Sequence, residues 1–172
     1  MVIVQKENQI HFIDTIHDHL IKQFHKAFEN ALDQPYKSVE LHLSSAGGSV
    51  HAAEQIIGIL CTSYKPVEAF IHNASVYGGY EGVASAASVI VSYCHKKYID
   101  ANATFLIHHA RNAASGKIIY NDEDVLYWMQ QTGQTFSKME QYLKYETIID
   151  SENALKDGFV DEILYSNYVL PL

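Results

Sequence analysis

The sequence predicts an α/β fold in which parallel strands are joined by right-handed helical crossovers. Apolar residues alternate over 39–43, as in a half-buried strand, and recur at helical spacing over 50–60. A second strand-like run over 67–72 follows, and Lys65-Pro66 marks the turn before it. This order of strand, helix and strand is the basic unit of a parallel sheet.

The N-terminal elements follow from the same periodicities. The stretch 9–13 is strand-like, and apolar residues form a helical stripe from Ile16 to about Asp33. Asp14 or Thr15 is expected to cap this helix, and the prolyl turn that follows at 34–36 ends it.

The C-terminal half is predicted to contain more helices than strands. The segment 73–81 fits a strand or a loop, because Gly78-Gly79 weakens either element. The elements expected after it are a helix over 88–94, a strand over 104–107, a long helix over 122–145, a helix over 152–156 capped by Ser151, and a strand over 159–164. Gly133 lies inside the long helix, where it costs roughly 1 kcal/mol relative to alanine.

Length and composition restrict the function classes. The 172 residues, 48% of them hydrophobic, predict one domain covering 1–172. The net charge of −8 and a single arginine, Arg111, argue against nucleic acid as a partner. Cys61 and Cys94 are too far apart in the sequence to resemble a metal-binding cysteine motif. His17 and His19 lie two residues apart on a predicted helix and so point to different faces. We therefore expect no metal site. With no signal peptide and no membrane span evident, we expect a cytoplasmic protein.

One stretch, 82–109, carries candidate catalytic residues. Small residues surround Ser85 just before a predicted helix, where backbone N–H groups can stabilise an oxyanion, and His108 ends a later strand as a candidate base. The alternative is that the small residues only permit close helix packing. Gly47-Gly48, after the strand 39–43, makes either an anion-binding corner or an ordinary turn.

Three stretches together resemble the Clp protease proteolytic subunit family. They are SSAGGSV at 44–50, the segment from Ala84 to His108, which is similar to the phage-type pattern, and 132–164, which contains TGQTF and DGFVD. They occur in the family's order and span about two thirds of the chain. The resemblance implies a crotonase-like β/α superhelical fold, a single domain with a protruding handle helix, and a Ser-His-Asp peptidase.

The same resemblance implies roles for individual residues. Ser85 falls on the nucleophile, His108 on the general base, Glu146 on the third triad position, and Gly48 and Ala86 on the backbone donors of the oxyanion hole. Glutamate replaces the family's aspartate at the third position. Asp150 is the alternative carboxylate.

The sequence departs from the family pattern in three places. The stretch between Gly48 and Ser85 is longer than the family norm, and a second alignment places Tyr77-Gly-Gly-Tyr80 at the nucleophile turn, where it resembles the S-G-G-Y of signal-peptide peptidases. That alignment implies a non-catalytic protein, or one that uses Ser75 as its nucleophile. We favour Ser85, because it aligns with His108 without gaps. A short segment over 109–133 and few residues before the first strand weaken the expectation of a double ring and an unfoldase partner.

The resemblance implies an ATP-dependent serine endopeptidase, a hydrolase of unfolded proteins or peptides. It would form a homo-oligomeric ring, work with an AAA+ unfoldase that uses the ATP, and need no metal or organic cofactor itself. One alternative is a catalytically inactive subunit or binding module on the same fold. Another is a crotonase-type acyl-CoA enzyme, although we find no basic cluster for the phosphates of CoA.

Overall fold

Nine strands and six α-helices occur in the part of the chain that this computed structural model describes, residues 2–74, 81–112 and 114–165. The strands are β1 (Val2–Lys6), β2 (Gln9–Ile13), β3 (Val39–Ser44), β4 (Val67–Ile71), β5 (Gly82–Ala84), β6 (Lys96–Asp100), β7 (Thr104–Leu106), β8 (Ile149–Asp150) and β9 (Glu162–Leu164). The helices are α1 (Ile21–Leu32), α2 (Val50–Cys61), α3 (Ala86–Ser92), α4 (Asp122–Thr132), α5 (Phe136–Tyr145) and α6 (Ser151–Lys156). The α/β fold predicted from the sequence is therefore confirmed.

The main sheet has six strands in the order β1-β2-β3-β4-β6-β9. All neighbours are parallel except β1, which pairs antiparallel with β2. The inward face of α1 contributes Phe24 and Phe28 to the core, where both are 1% exposed. Helix α2 contributes Ile56, and the strands contribute buried aliphatic residues such as Leu41 and Ile71. A continuous core of this kind holds the strand ends at fixed positions.

A second, smaller sheet positions the candidate catalytic residues. Its order is β5-β7-β8, with β5 parallel to β7. Ala84, the last residue of β5, pairs with Leu106, the last residue of β7. Because the carboxyl ends of parallel neighbours meet at one edge of a sheet, the residues that follow, Ser85 and His108, leave the sheet at the same edge.

The first helix begins later than its apolar stripe predicts. Ile16 pairs with the glycine turn instead: its N–H donates to the Gly47 carbonyl at 2.8 Å, and its carbonyl accepts from the Ser49 N–H at 2.9 Å. This pairing uses the Ile16 backbone, so helical geometry starts only with a 3-10 turn at Asp18–Leu20. The residues expected to cap the helix belong to the pairing segment.

The long helix predicted over 122–145 is two helices. Gly133 ends α4 in the left-handed conformation, with φ 72°, and Thr135 starts α5 by accepting a hydrogen bond from the Lys138 N–H. Glycine adopts positive φ without the steric cost of a side chain, so it terminates a helix more readily than it continues one. The single helix predicted over 122–145 is thus a pair of helices, α4 and α5.

The sequence analysis missed four strands, β1, β5, β6 and β8, and several predicted boundaries differ from those observed. β1 forms a hairpin with β2 that turns at Glu7, whose φ is 55°, and β6 occupies a stretch that lacks an alternating pattern. Asp150, rather than Ser151, caps α6, because its side chain accepts from the Asn153 N–H. Phe159 lies in the core before the short β9 begins. No helix in the described residues is long and apolar enough to cross a membrane.

Candidate active site

Ser85 lies in a strained turn between β5 and α3. Its φ is 57° and its ψ is −126°, a conformation that is nearly restricted to glycine and costs about 1–3 kcal/mol for a residue with a side chain. The Ser85 N–H donates to the Leu106 carbonyl at 3.1 Å, which ties the turn to β7. A serine held in a sharp turn between a strand and a helix is the arrangement of a nucleophile elbow, which exposes the hydroxyl.

The glycine turn packs directly against this elbow. A Cβ atom on Gly47 would lie 2.8 Å from Cβ of Ser85 and 3.0 Å from the amide nitrogen of Ala86, and φ at Gly47 is +92°. Main-chain hydrogen bonds hold the turn there, because the Ser45 N–H donates to the Gly82 carbonyl at 2.8 Å and the Ala84 N–H donates to the Ser45 carbonyl at 2.9 Å. Only glycine fits at position 47 while the turn keeps this contact.

The two backbone N–H groups implied as oxyanion donors lie in these two turns. Gly48 follows Gly47, and Ala86 follows Ser85 as the first residue of α3. Among the described residues, neither N–H donates to a backbone carbonyl. Ala86 lines the same cavity as Ser85, whereas Gly48 packs against Ile16.

A cavity of about 470 Å³ opens beside Ser85 and also reaches His108. Its walls are mostly apolar: the lining includes Val50, Ala53, Ile57, Val89, Ile107 and Trp128. The structure thus brings the expected nucleophile and base to one cavity, with room for a substrate side chain. Acidic side chains, including Asp124, line another part of it.

His108 follows β7, and a main-chain carbonyl orients its ring. Its Nδ1 lies 2.6 Å from the carbonyl oxygen of His109. Because a carbonyl oxygen only accepts hydrogen bonds, this contact requires a proton on Nδ1, and in the neutral ring the lone pair is then on Nε2. That tautomer is the one a general base needs to take a proton from a serine hydroxyl.

The two carboxylates considered for the third triad position are engaged elsewhere. Glu146 ends α5 in the left-handed conformation and forms an ion pair with Arg111. Asp150 caps α6 and accepts from the Asn153 N–H at 2.8 Å. Neither carboxylate hydrogen-bonds His108 within the part of the chain described here.

Sequence reasoning missed a carboxylate that contacts this histidine pair. Asp124, in the first turn of α4, lies with Oδ2 3.2 Å from Nδ1 of His109, and it lines the same cavity as Ser85 and His108. The available signal in the sequence is the acidic run at 122–124, at the start of a predicted helix that follows the adjacent histidines at 108–109. The competing alignment through Tyr77 and Ser75 lies outside the described residues.

The fold and the site define an α/β protein in which a strained serine shares a cavity with a histidine. A protein-family model described as Clp protease matches residues 2–167. The chain therefore belongs to the Clp protease family, as the three sequence stretches predicted. Membership places it among the peptidases, which are hydrolases.

Proposed function

We propose that this protein is a serine endopeptidase in which Ser85 is the nucleophile and His108 the general base. The observation that carries the proposal is the strained conformation of Ser85 at a cavity that it shares with His108. Strain at a residue with a side chain persists only where the surrounding structure enforces it, and it is concentrated at functional sites.

In the first half of the reaction, Oγ of Ser85 attacks the carbonyl carbon of a peptide bond while its proton moves to Nε2 of His108. The Gly48 and Ala86 N–H groups donate to the oxyanion, and the loss of one such donor typically raises the barrier by about 2.7–4 kcal/mol. The tetrahedral intermediate collapses as the C–N bond breaks, and His108 gives its proton to the leaving amine. This step leaves an acyl-enzyme on Ser85.

Water completes the cycle. His108 takes a proton from water as the water oxygen attacks the acyl carbon, and the bond to Oγ then breaks as the proton returns to Ser85. The sequence of steps needs no metal or organic cofactor. ATP, where it is used, would belong to an unfoldase partner that delivers unfolded chains to the site.

A catalytically inactive subunit is the second candidate, and the ion pair between Glu146 and Arg111 favours it. In the triad implied by the family, the third carboxylate must contact the base. Glu146 fills that role only if it exchanges Arg111 for His108. Asp150 fills that role only if it gives up the hydrogen bond by which it caps the N-terminus of α6.

Hydrolysis of a fluorogenic peptide separates the two candidates. We expect turnover by the natural chain and none by Ser85→Ala or His108→Ala, because each change deletes one reacting group. Asn112→Ala is the control, since among the described residues that side chain bonds only the exposed turn at residues 114–115. Turnover that survives in Ser85→Ala but disappears in Ser75→Ala would overturn the assignment.

We also propose a homo-oligomeric ring. The aromatic residues Tyr127, Trp128 and Tyr142 of α4 and α5 are used internally: Trp128 is 4% exposed, and the hydroxyls of Tyr127 and Tyr142 contact Ser92 and Asp157. The apolar surface in this part of the chain comes instead from Ile119, Tyr120 and Leu126, which are 50%, 65% and 49% exposed. Apolar side chains that form one contiguous exposed patch mark contacts between proteins.

A further inference from the structure

We infer that the Asp124–His109 pair positions the catalytic histidine, by holding the His109 carbonyl against Nδ1 of His108. The inference rests on the proposed function, since it assigns a role to residues around the proposed base. Asp124 and His109 are positioning residues, because neither touches the reacting atoms.

The His109 carbonyl needs an anchor, because regular structure ends before it. β7 stops at Leu106, so no strand ladder fixes the peptide groups that follow. On the far side, the main chain is held where the Ile119 N–H donates to the Ala110 carbonyl at 2.8 Å. On the near side, the anchor is the side chain of His109 itself.

That side chain is fixed on two sides. It is buried, at 4% exposure, its Nδ1 lies 3.2 Å from Oδ2 of Asp124, and its ring meets the edge of Tyr120 with 5.3 Å between centroids. Asp124 is in turn held by α4, which Asn121 caps through a 3.0 Å hydrogen bond from the Glu123 N–H. A rigid helix start thus holds His109, and His109 holds the carbonyl.

The arrangement performs the orienting part of the role of a triad carboxylate. An orienting group selects the tautomer and holds the imidazole toward the nucleophile. Here the acceptor for Nδ1 of His108 is the neutral carbonyl of His109, 2.6 Å away. The carboxylate of Asp124 contacts the side chain of His109 rather than that of His108. Loss of the anchor would leave the site intact but the base less often in its reactive orientation, so kcat would fall rather than KM rise.

The test is steady-state hydrolysis of a fluorogenic peptide, with a fluorophosphonate to count active sites. We expect Asp124→Asn to lower kcat about tenfold, with KM changed by less than about twofold. His109→Ala should match it, and the double variant should lose no more than either single one, because both act through one contact. His109→Asn should restore most of the rate, since its amide can still donate to Asp124.

Asp122→Asn is the matched control. It removes the same charge from the same turn of α4, where Asp122 is exposed. An equal kcat in Asp122→Asn and Asp124→Asn would overturn the inference. So would a loss of kcat in Glu146→Gln with none in Asp124→Asn, which would assign the orienting role to Glu146.

The fluorophosphonate reaction distinguishes failure of the proposed function from failure of the positioning role alone. If the natural chain takes no fluorophosphonate on Ser85, both the peptidase and its positioning pair are refuted. If it labels at Ser85 and Asp124→Asn labels equally fast, only the positioning role is refuted. A misfolded variant shows fewer labelled sites, whereas a mispositioned base shows the full number labelled more slowly.

Discussion

At the scale of single residues, the site depends on backbone conformations that amino-acid types alone do not reveal. Ser85 has φ 57°, although serine is seldom found at positive φ. Gly47 has φ +92° and leaves no room for a Cβ atom. The sequence identified both positions through their motifs, but the strain at one and the close contact at the other are properties of the folded chain.

Strain at Ser85 predicts that stability and activity respond in opposite directions. Ser85→Gly should raise the free energy of unfolding by about 1–2 kcal/mol, because glycine adopts this conformation without steric cost. Ser85→Ala keeps the strain and should leave stability nearly unchanged. Urea denaturation measures both, and equal stabilities of the two variants would contradict a strained elbow.

Crowding at Gly47 predicts a severe effect of one added methyl group. Gly47→Ala should abolish labelling of Ser85 and destabilise the fold by more than the roughly 1–2 kcal/mol of positive φ alone, because the new Cβ would lie 2.7 Å from the Ala84 carbonyl oxygen. Gly133→Ala is the control, since Gly133 also has positive φ, +72°, but nothing lies within 4 Å of its added Cβ. Equal losses of labelling and of stability in Gly47→Ala and Gly133→Ala would show that backbone strain, and not contact with the Ser85 turn, decides the outcome.

At the scale of elements, a histidine network crosses the main sheet. His11 of β2 stacks on His42 of β3 with 4.5 Å between ring centroids. Nδ1 of His42 lies 2.8 Å from Nε2 of His72, the residue that follows β4. Nδ1 of His72 lies 3.0 Å from Asp100 on β6. Glu40 closes the other end, 3.2 Å from Nε2 of His42. Buried rings in contact cannot all carry charge without a cost in stability.

This network predicts that stability falls in mild acid. Burial and the neighbouring His42 lower the pKa of His11 from 6.5 to about 4, and burial also lowers the pKa of His72. Between these pH values the unfolded chain binds more protons than the folded chain. Stability is therefore full above about pH 6.5 and is lost as the pH falls toward 4, by up to about 1.4 kcal/mol per pH unit for each proton.

Urea denaturation at several pH values measures this loss. His11→Gln should reduce the dependence of stability on pH between 6.5 and 4, because it removes one of the titrating rings. His25→Gln is the control, since the side chain of His25 is 56% exposed. An equal pH dependence in both variants would contradict the role of the buried network.

At the scale of the whole molecule, much of the architecture could be predicted from sequence because it depends on local periodicity. The strands at 39–43 and 67–72 and the helix between them match β3, β4 and α2 closely. β6 was missed because its side chains do not alternate, and α1 starts late because Ile16 pairs with a turn some thirty residues away. Long-range backbone pairing leaves no periodic signal.

The candidate site likewise combines features that local sequence motifs predict with contacts that they do not. Ser85, His108 and the glycine turn carry recognisable motifs, and the structure brings them together. The Arg111–Glu146 ion pair and the Asp124–His109 contact join segments that are distant in sequence. Such pairings depend on how α4 and α5 return to the small sheet, which no spacing in the sequence specifies.

Assembly is the property of the whole chain that the exposed side chains of Ile119, Tyr120 and Leu126 predict. Light scattering at micromolar concentration should give a mass several times the 19.4 kDa of one chain. Leu126→Glu should lower that mass by placing a charge in the contact. Leu155→Glu, at a residue 40% exposed on α6, should not lower it. A mass near that of one chain for the natural protein would contradict the ring, and a single layer would contradict only a double ring.

The central claim is that Ser85 is an activated nucleophile, and mapping of a fluorophosphonate adduct tests it most directly. Intact mass should show one adduct per active chain, and peptide mapping should place it on Ser85. Ser85→Ala should take none, and His108→Ala should react far more slowly, because the base is missing. An adduct on Ser75, or an unreactive natural chain of native stability, would contradict the account.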